Sequence, residues 1–337
     1  MVILNCLTIL NKPMGLRRLL SYRAVSLPRR IQIEITNECN LRCKMCARSY
    51  NEGLIRKSLR LTDIKIIISQ IPNCRNIALH GLGEPLMNHD LIDIVSFLKK
   101  RKKRVHFTTN ATLLMPTISE ELIKSGLDGI TISINGATSK TYEHLMKGAN
   151  FLNVLENIRS LVRIKEKLNA SLPELSIAIV AMKSNFREIP QIIKLAVSLE
   201  IKKVIIRFLH PLTPTKEEML TTDDLQALRD LKNKRNPEIE LITDDFGQLV
   251  GEKDKTSCNG CWEGVYITVD GWITPCCHIY NPELINFGNI FDTNFKSIWN
   301  NTHYRNFRKE LLERTPKCYK ECAEYLSEKS KLFIQDN

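Results

Sequence analysis

Between residues 30 and 209 the chain repeats one rhythm six times, a short β-rich run followed by a stretch with helical periodicity. The β-rich runs are RIQIEIT (30–36), NIALHGLG (76–83), RVHFTTN (104–110), GITISING (129–136), LSIAIVAM (175–182) and KKVIIRFL (202–209). Helical patterns lie between them at 61–71, with Thr62 near the cap, then at 90–101, 117–126, 138–147, 151–168 and 187–199. In 151–168, Phe151, Val154, Leu155, Ile158, Leu161 and Val162 share one face. Strands that alternate with helices pair in parallel through right-handed crossovers. Runs such as ITISI read as apolar on both faces, as strands buried in a parallel sheet are. Eight units close a full barrel; six leave it open. The expected fold is α/β, a partial (β/α)6 TIM-like barrel.

After about residue 215 the rhythm fails. TPTKEEMLTTDDLQALRDLKNKRNPE reads as a polar helical connection, and VYITVDGWITPCC as two alternating strands about Asp270–Gly271, a strong hairpin signal. A helical region over about 293–313 precedes Cys318 and Cys322. A chain of 337 residues is long for one ordinary domain. The expected division is a basic N-terminal extension (1–29), a core barrel (30–235) and a small cysteine-rich domain containing the hairpin (236–337).

In parallel barrels chemistry collects at the C-terminal ends of the strands. The unusual residues of this chain fall there: a cysteine loop after the first strand, HGLGEP after the second, TTNA after the third and SING after the fourth. Eleven cysteines are present; three lie within 39–46, six within 258–322, and Cys6 and Cys74 stand alone. That clustering in a chain of this length argues against a disulfide framework and for metal ligands in a reducing compartment. Structural zinc takes four ligands, commonly from two separated pairs. Cys39, Cys43 and Cys46 are three, and neither Arg42 nor Lys44 can supply a fourth. A cubane iron–sulfur cluster held by three thiolates keeps one iron open for a substrate or cofactor.

The spacing Cys39-x3-Cys43-x2-Cys46 on the first strand's loop resembles the signature of the radical S-adenosylmethionine (radical SAM) superfamily. The resemblance implies that these thiolates hold a [4Fe–4S] cluster whose open iron chelates the amino and carboxylate groups of SAM. It implies that an electron from the cluster cleaves the sulfonium to methionine and a 5′-deoxyadenosyl radical, which abstracts hydrogen from a substrate. Met45 stands where the family carries an apolar or aromatic residue that can touch adenine. GLGEP (81–85) matches the family's Gly-Gly-Glu-Pro element, with Leu82 in place of the first glycine of that pair. Gly83 permits close approach of the backbone, Glu84 and strand-edge carbonyls are expected to meet the SAM ammonium, and Pro85 fixes the turn. Asn110, Ser133 and Asn135 sit where the family places ribose and carboxylate contacts. Arg207, inside an apolar strand, needs an acceptor if buried; His80 and His89 are left without a role.

The C-terminal cysteines, Cys258-x2-Cys261, Cys276–Cys277 and Cys318-x3-Cys322, resemble the SPASM and twitch extensions of radical SAM enzymes, which bind auxiliary clusters. The middle Cys-x2-Cys of a full SPASM domain is missing. The resemblance therefore implies one auxiliary [4Fe–4S] cluster, with Cys258, Cys276, Cys318 and Cys322 as ligands and Cys261 as the alternative to Cys258. Zinc is the competing reading for this group.

The net charge of +12 gathers partly in KKRKKR (99–104). That run follows an apolar-periodic helix and reads as a cationic helix end rather than a nucleic-acid patch. The N-terminus has no basic residues ahead of its apolar stretch and no cleavage site, and no segment reaches the length of a membrane span, so a cytoplasmic protein is expected. The expected function is a radical SAM enzyme that oxidises or otherwise modifies a sugar, cyclitol or related metabolite. Electrons would come from a donor such as flavodoxin or ferredoxin. The alternatives are a maturase acting on a ribosomally made peptide and a non-catalytic metal-binding protein.

Overall fold

The computed structural model describes residues 26–51, 55–209, 215–234, 237–243 and 260–313. Six βα units follow in order: β1 (Arg30–Ile33), α1 (Leu61–Gln70), β2 (Asn76–Ala78), α2 (Leu91–Lys100), β3 (Arg104–Thr109), α3 (Pro116–Lys124), β4 (Gly129–Ser133), α4 (Ser139–Leu145) with α5 (Phe151–Lys167), β5 (Glu174–Ala181), α6 (Ile189–Ser198), β6 (Lys203–Phe208) and α7 (Thr222–Asn233). A seventh parallel strand, β7 (Glu240–Thr243), then pairs with β6. The sequence signals no strand there, since ELIT is only four residues long. Beyond it lie a four-residue helix α8 (Gly260–Glu263), β8 (Gly264–Ile267), β9 (Ile273–Thr274), α9 (Phe295–Trp299) and α10 (Thr302–Glu313).

All the strands belong to one sheet in the order β7-β6-β5-β4-β3-β2-β1-β8-β9. The edges β7 and β9 do not meet, so the barrel is open. The hairpin forms as the sequence predicts, with Gly271 at φ +88° in its turn. It does not stand apart, however: β8 runs parallel to β1 and continues the core sheet, Arg30 opposite Gly264 and Ile33 opposite Ile267.

Burial alternates along β4, with Ile130 and Ile132 inward and Gly129, Thr131 and Ser133 half-exposed. The expectation of strands apolar on both faces is corrected here. Only the outer face is sealed by helices, where Ile64, Ile67, Ile94, Val95 and Ile158 join the strand isoleucines in one core. Each fully buried isoleucine contributes about 1.5–3 kcal/mol. The inner face is more polar: Thr131 and Ser176 share a hydrogen bond of 2.9 Å there. At the start of α1 the cap is Arg60, not Thr62; Asp63 accepts from the Arg60 amide at 2.8 Å. The final helical region divides at Asn300–Asn301 into α9 and α10.

Part of the basic run is drawn into the fold. Lys103 is buried and donates to the carbonyls of Pro72 and Cys74, Lys99 pairs with Asp128, and Arg101 lies over the Phe97 ring at 3.7 Å. Among the described residues no helix is long and apolar enough to cross a membrane.

Candidate active site

The loop that follows β1 carries the three cysteines, and its course is fixed by hydrogen bonds rather than by regular structure. Asn37 is buried; its side chain donates to the Ile55 carbonyl and accepts from the Lys57 amide, each at 2.8 Å. Arg48 reaches back from the far end of the loop and donates through Nε to the Asn37 carbonyl at 2.7 Å. The Arg42 and Lys44 amides donate to the carbonyls of Lys147 and Leu145, which ties the loop to the end of α4. Lys44 Nζ also pairs with the buried carboxylate of Glu218 at 2.7 Å. The chain after β1 is thereby clamped to the segments after β4 and β6.

Cys39, Cys43 and Cys46 are all half-buried and lie within electrostatic reach of one another. Burial pushes each thiol above its ordinary pKa, and at Cys43 the neighbouring Cys46 and Cys39 add to the effect. Arg48 opposes the shift at Cys39 and Cys46. Among the described residues no three ligating side chains are gathered as they would be around a single ion. A cubane asks for a different arrangement, each thiolate taking its own iron. Three thiols on one loop, spaced but mutually coupled, fit that group.

The GLGEP turn packs directly against this loop. A Cβ at Gly83 would stand 2.3 Å from the Thr36 carbonyl oxygen and 2.7 Å from that of Glu38, so only glycine fits. The Glu84 amide donates to the Glu38 carbonyl at 2.7 Å. The Glu84 carboxylate is buried and accepts from Thr109 Oγ1 at 2.6 Å, the Asn110 amide at 2.7 Å and the Leu86 amide at 3.2 Å. Both oxygens are therefore engaged within the protein, and Glu84 acts here as a brace between β2 and β3. Burial lifts its pKa to about 7 against the pull of those donors. Pro85 begins a short 3-10 turn, Pro85–Met87.

Asn110 is buried beside the cysteine loop, its amide nitrogen 3.9 Å from Cys39 Sγ and 3.1 Å from Asn40 Oδ1. Ser133 is half-exposed at the inner end of β4. Asn135 is buried and pins two strands: it accepts from the Val180 amide at 2.8 Å and donates to Met146 Sδ at 3.1 Å. Met146 in turn lies 3.6 Å from Cys43 Sγ. Met45 is half-buried against Leu145, Met182 and Leu209. Arg207 is exposed, not interior, at the inner face of the open barrel. It shares that face with His80 and His106, whose rings are 6.0 Å apart. His80 Nδ1 is sealed without a hydrogen-bond partner, and desolvation, then His106 and Arg207, hold the imidazole pKa down at about 3. His89 is exposed.

From the C-terminal group, Cys276 is half-buried, Cys261 buried and Cys277 exposed. Cys258, Cys318 and Cys322 lie outside the described residues. The hairpin leans on the same site. Glu34, buried in the first strand's continuation, accepts from the Leu82 amide at 2.8 Å with one oxygen and from the Val269 amide at 3.1 Å with the other. The Tyr266 hydroxyl is hydrogen-bonded to the same carboxylate. Lys57 pairs with Asp270 at 2.7 Å. Sequence reasoning missed Glu34, Arg48, Met146 and Glu218. A lone acid inside the apolar run RIQIEIT was a usable signal for Glu34; nothing local marks Met146 or Glu218, whose partners are distant in sequence.

The open parallel barrel thus sets three coupled thiols beside a glycine-backed turn. A profile described as the Radical SAM superfamily matches residues 33–196, and one for an iron–sulfur cluster-binding domain (SPASM) matches residues 258–324. The two together span more than half of the chain, which belongs to the radical SAM superfamily. It is an iron–sulfur enzyme whose matched domains imply [4Fe–4S] clusters and S-adenosylmethionine.

Among curated relatives, it is 26% identical over 310 residues to the "tungsten-containing aldehyde ferredoxin oxidoreductase cofactor-modifying protein" of Pyrococcus furiosus, covering 82% of each chain. It is 24% identical over 262 residues to a "probable GTP 3',8-cyclase" of Methanocaldococcus jannaschii, covering 74% of this chain and 84% of that one. Its fold matches the crystal structure of Streptococcus suis SuiB bound to S-adenosylmethionine at a TM-score of 0.70 and 17% identity, covering 86% of this chain and 70% of that one.

Proposed function

We propose that Cys39, Cys43 and Cys46 ligate the SAM-binding cluster and that the enzyme modifies a small polar metabolite, by oxidation or another hydrogen-abstraction route. When bound, the cluster and SAM supply one-electron cleavage of the sulfonium and a radical able to take hydrogen from an unreactive C–H bond. The chain's own residues position these partners. Gly83 brings the turn's backbone against the cysteine loop, and Glu84 holds that turn to β3 so that its carbonyls can receive the SAM ammonium. Asn110 and Ser133 offer polar groups at the strand ends for ribose and carboxylate, and Asn135 holds β4 to β5 behind them. Cys276, with Cys258 or Cys261 and with Cys318 and Cys322, takes one auxiliary cluster.

The observation that carries this reading is the packing of Gly83 and Glu84 against the backbone of the three-cysteine loop. The small-molecule assignment draws on the polar inner face, where His80, His106, Thr131, Ser176 and Arg207 line a surface suited to hydroxyls and anions rather than to apolar side chains. The names of the two curated relatives point the same way, one to a cofactor and the other to GTP. The test is anaerobic turnover with a panel of sugars, cyclitols, nucleotides and peptides, read by mass spectrometry. A small molecule changed in mass with formation of 5′-deoxyadenosine is expected; turnover of peptides alone would overturn the substrate assignment.

A further inference from the structure

Arg308, on α10, is fully buried. Its Nε donates to the Cys261 carbonyl at 3.1 Å, and Nη1 donates to the Trp299 carbonyl at 2.8 Å and to Asn300 Oδ1 at 3.1 Å. The guanidinium lies 4.4 Å from the centre of the Trp299 ring and 4.1 Å from that of Tyr304. These contacts hold the group in place without neutralising it. Among the described residues no carboxylate forms an ion pair with it. Nη2 is sealed without a hydrogen-bond partner, and so is the hydroxyl of Tyr304, one turn earlier on the same helix.

A buried cation and two buried donors with nothing to bind are a heavy cost unless an anion arrives. Among the described residues, the cysteines Cys261 and Cys276 are the acidic groups that act on this pair. Cys261 acts on both Arg308 and Tyr304, and Cys276 also acts on Tyr304. A thiolate-ligated cubane is a buried polyanion whose sulfurs accept hydrogen bonds, and such bonds, with net charge and burial, set its potential. Its arrival would meet all three needs at once.

We propose that Arg308 and Tyr304 are positioning residues for the auxiliary cluster. Nη2 and the Tyr304 hydroxyl donate to its sulfurs, and the guanidinium charge favours its reduced state. The inference rests on the auxiliary cluster proposed above, at Cys276 and with Cys261 close by. It makes that cluster a better electron acceptor than one walled by apolar residues. A purely structural arginine that clamps three oxygens would leave the potential where it was.

The test uses the full chain carrying C39A/C43A/C46A, reconstituted anaerobically so that only the C-terminal cluster remains, and titrated potentiometrically with EPR detection. Arg308→Gln is expected to lower the reduced-to-oxidised ratio at a fixed potential at least tenfold, about 59 mV for a one-electron couple. Tyr304→Phe is expected to lower it less, and Arg308→Lys to retain most of it. If Arg308→Gln takes up no iron, the Lys and Phe variants decide by the same readout. Iron-loaded variants with the parent's potential would overturn the inference alone. A parent chain that binds no iron–sulfur cluster would remove the auxiliary-cluster reading beneath it.

Discussion

At Glu84, one side chain shows how much of this site is internal carpentry. Three donors converge on its carboxylate, and a glutamine could satisfy only part of that set, since its amide nitrogen would face a backbone N–H. Glu84→Gln is expected to destabilise the apo protein by about 1–3 kcal/mol in urea unfolding, the cost of stranding a buried donor. Gly83→Ala meets backbone oxygens on the facing loop, which cannot rotate away. A loss of about 1–3 kcal/mol is expected, together with weakened SAM binding by calorimetry. His80 gives a pH dependence with a definite sign. Its folded pKa of about 3 lies below the ordinary 6.5, so its contribution to stability is present above pH 6.5 and lost as the pH falls toward 3. The slope reaches at most about 1.4 kcal/mol per pH unit. Urea midpoints of the apo protein between pH 7 and 5 should fall less steeply in His80→Gln than in the parent.

At the scale of elements, the cysteine loop has no regular structure to support it and borrows stability from its neighbours. The Lys44–Glu218 pair bridges the loop to the chain after β6, and Glu218 also accepts from the Ser184 amide at 3.0 Å. Lys44→Ala leaves a buried carboxylate without its cation. The expected loss is of order 1–2 kcal/mol, between the values for exposed and buried pairs, with faster release of iron to a chelator. Lys57→Ala breaks a pair exposed on both sides, so no more than about 1 kcal/mol is expected there. The six βα units and the hairpin were legible because apolar periodicity and turn residues are local properties. The seventh strand was not, since ELIT acquires its identity only by pairing with β6. Nor was the join of β8 to β1, which closes a separation of more than two hundred residues and leaves no trace in either segment.

For the molecule as a whole, the cysteine spacing and the GLGEP turn were enough to reach the class of enzyme through their resemblance to the superfamily's signature. The roles of Glu84 and Asn135 were less legible. Both looked like ligand contacts in the sequence, and both are held by hydrogen bonds within the protein. Arg207 is exposed at the inner face, so the sequence condition of a buried arginine does not arise. Burial raises the pKa of all three N-terminal thiols, so if they ligate the cluster as proposed, they must ionise to bind iron and protons are released.

The most direct test of the N-terminal thiols as a SAM-cleaving centre is the yield of 5′-deoxyadenosine from anaerobically reconstituted, reduced protein given SAM. The parent should form it together with methionine, and Cys43→Ala should form none while keeping its C-terminal cluster. A fully iron-loaded, reduced parent that leaves SAM intact would contradict the account.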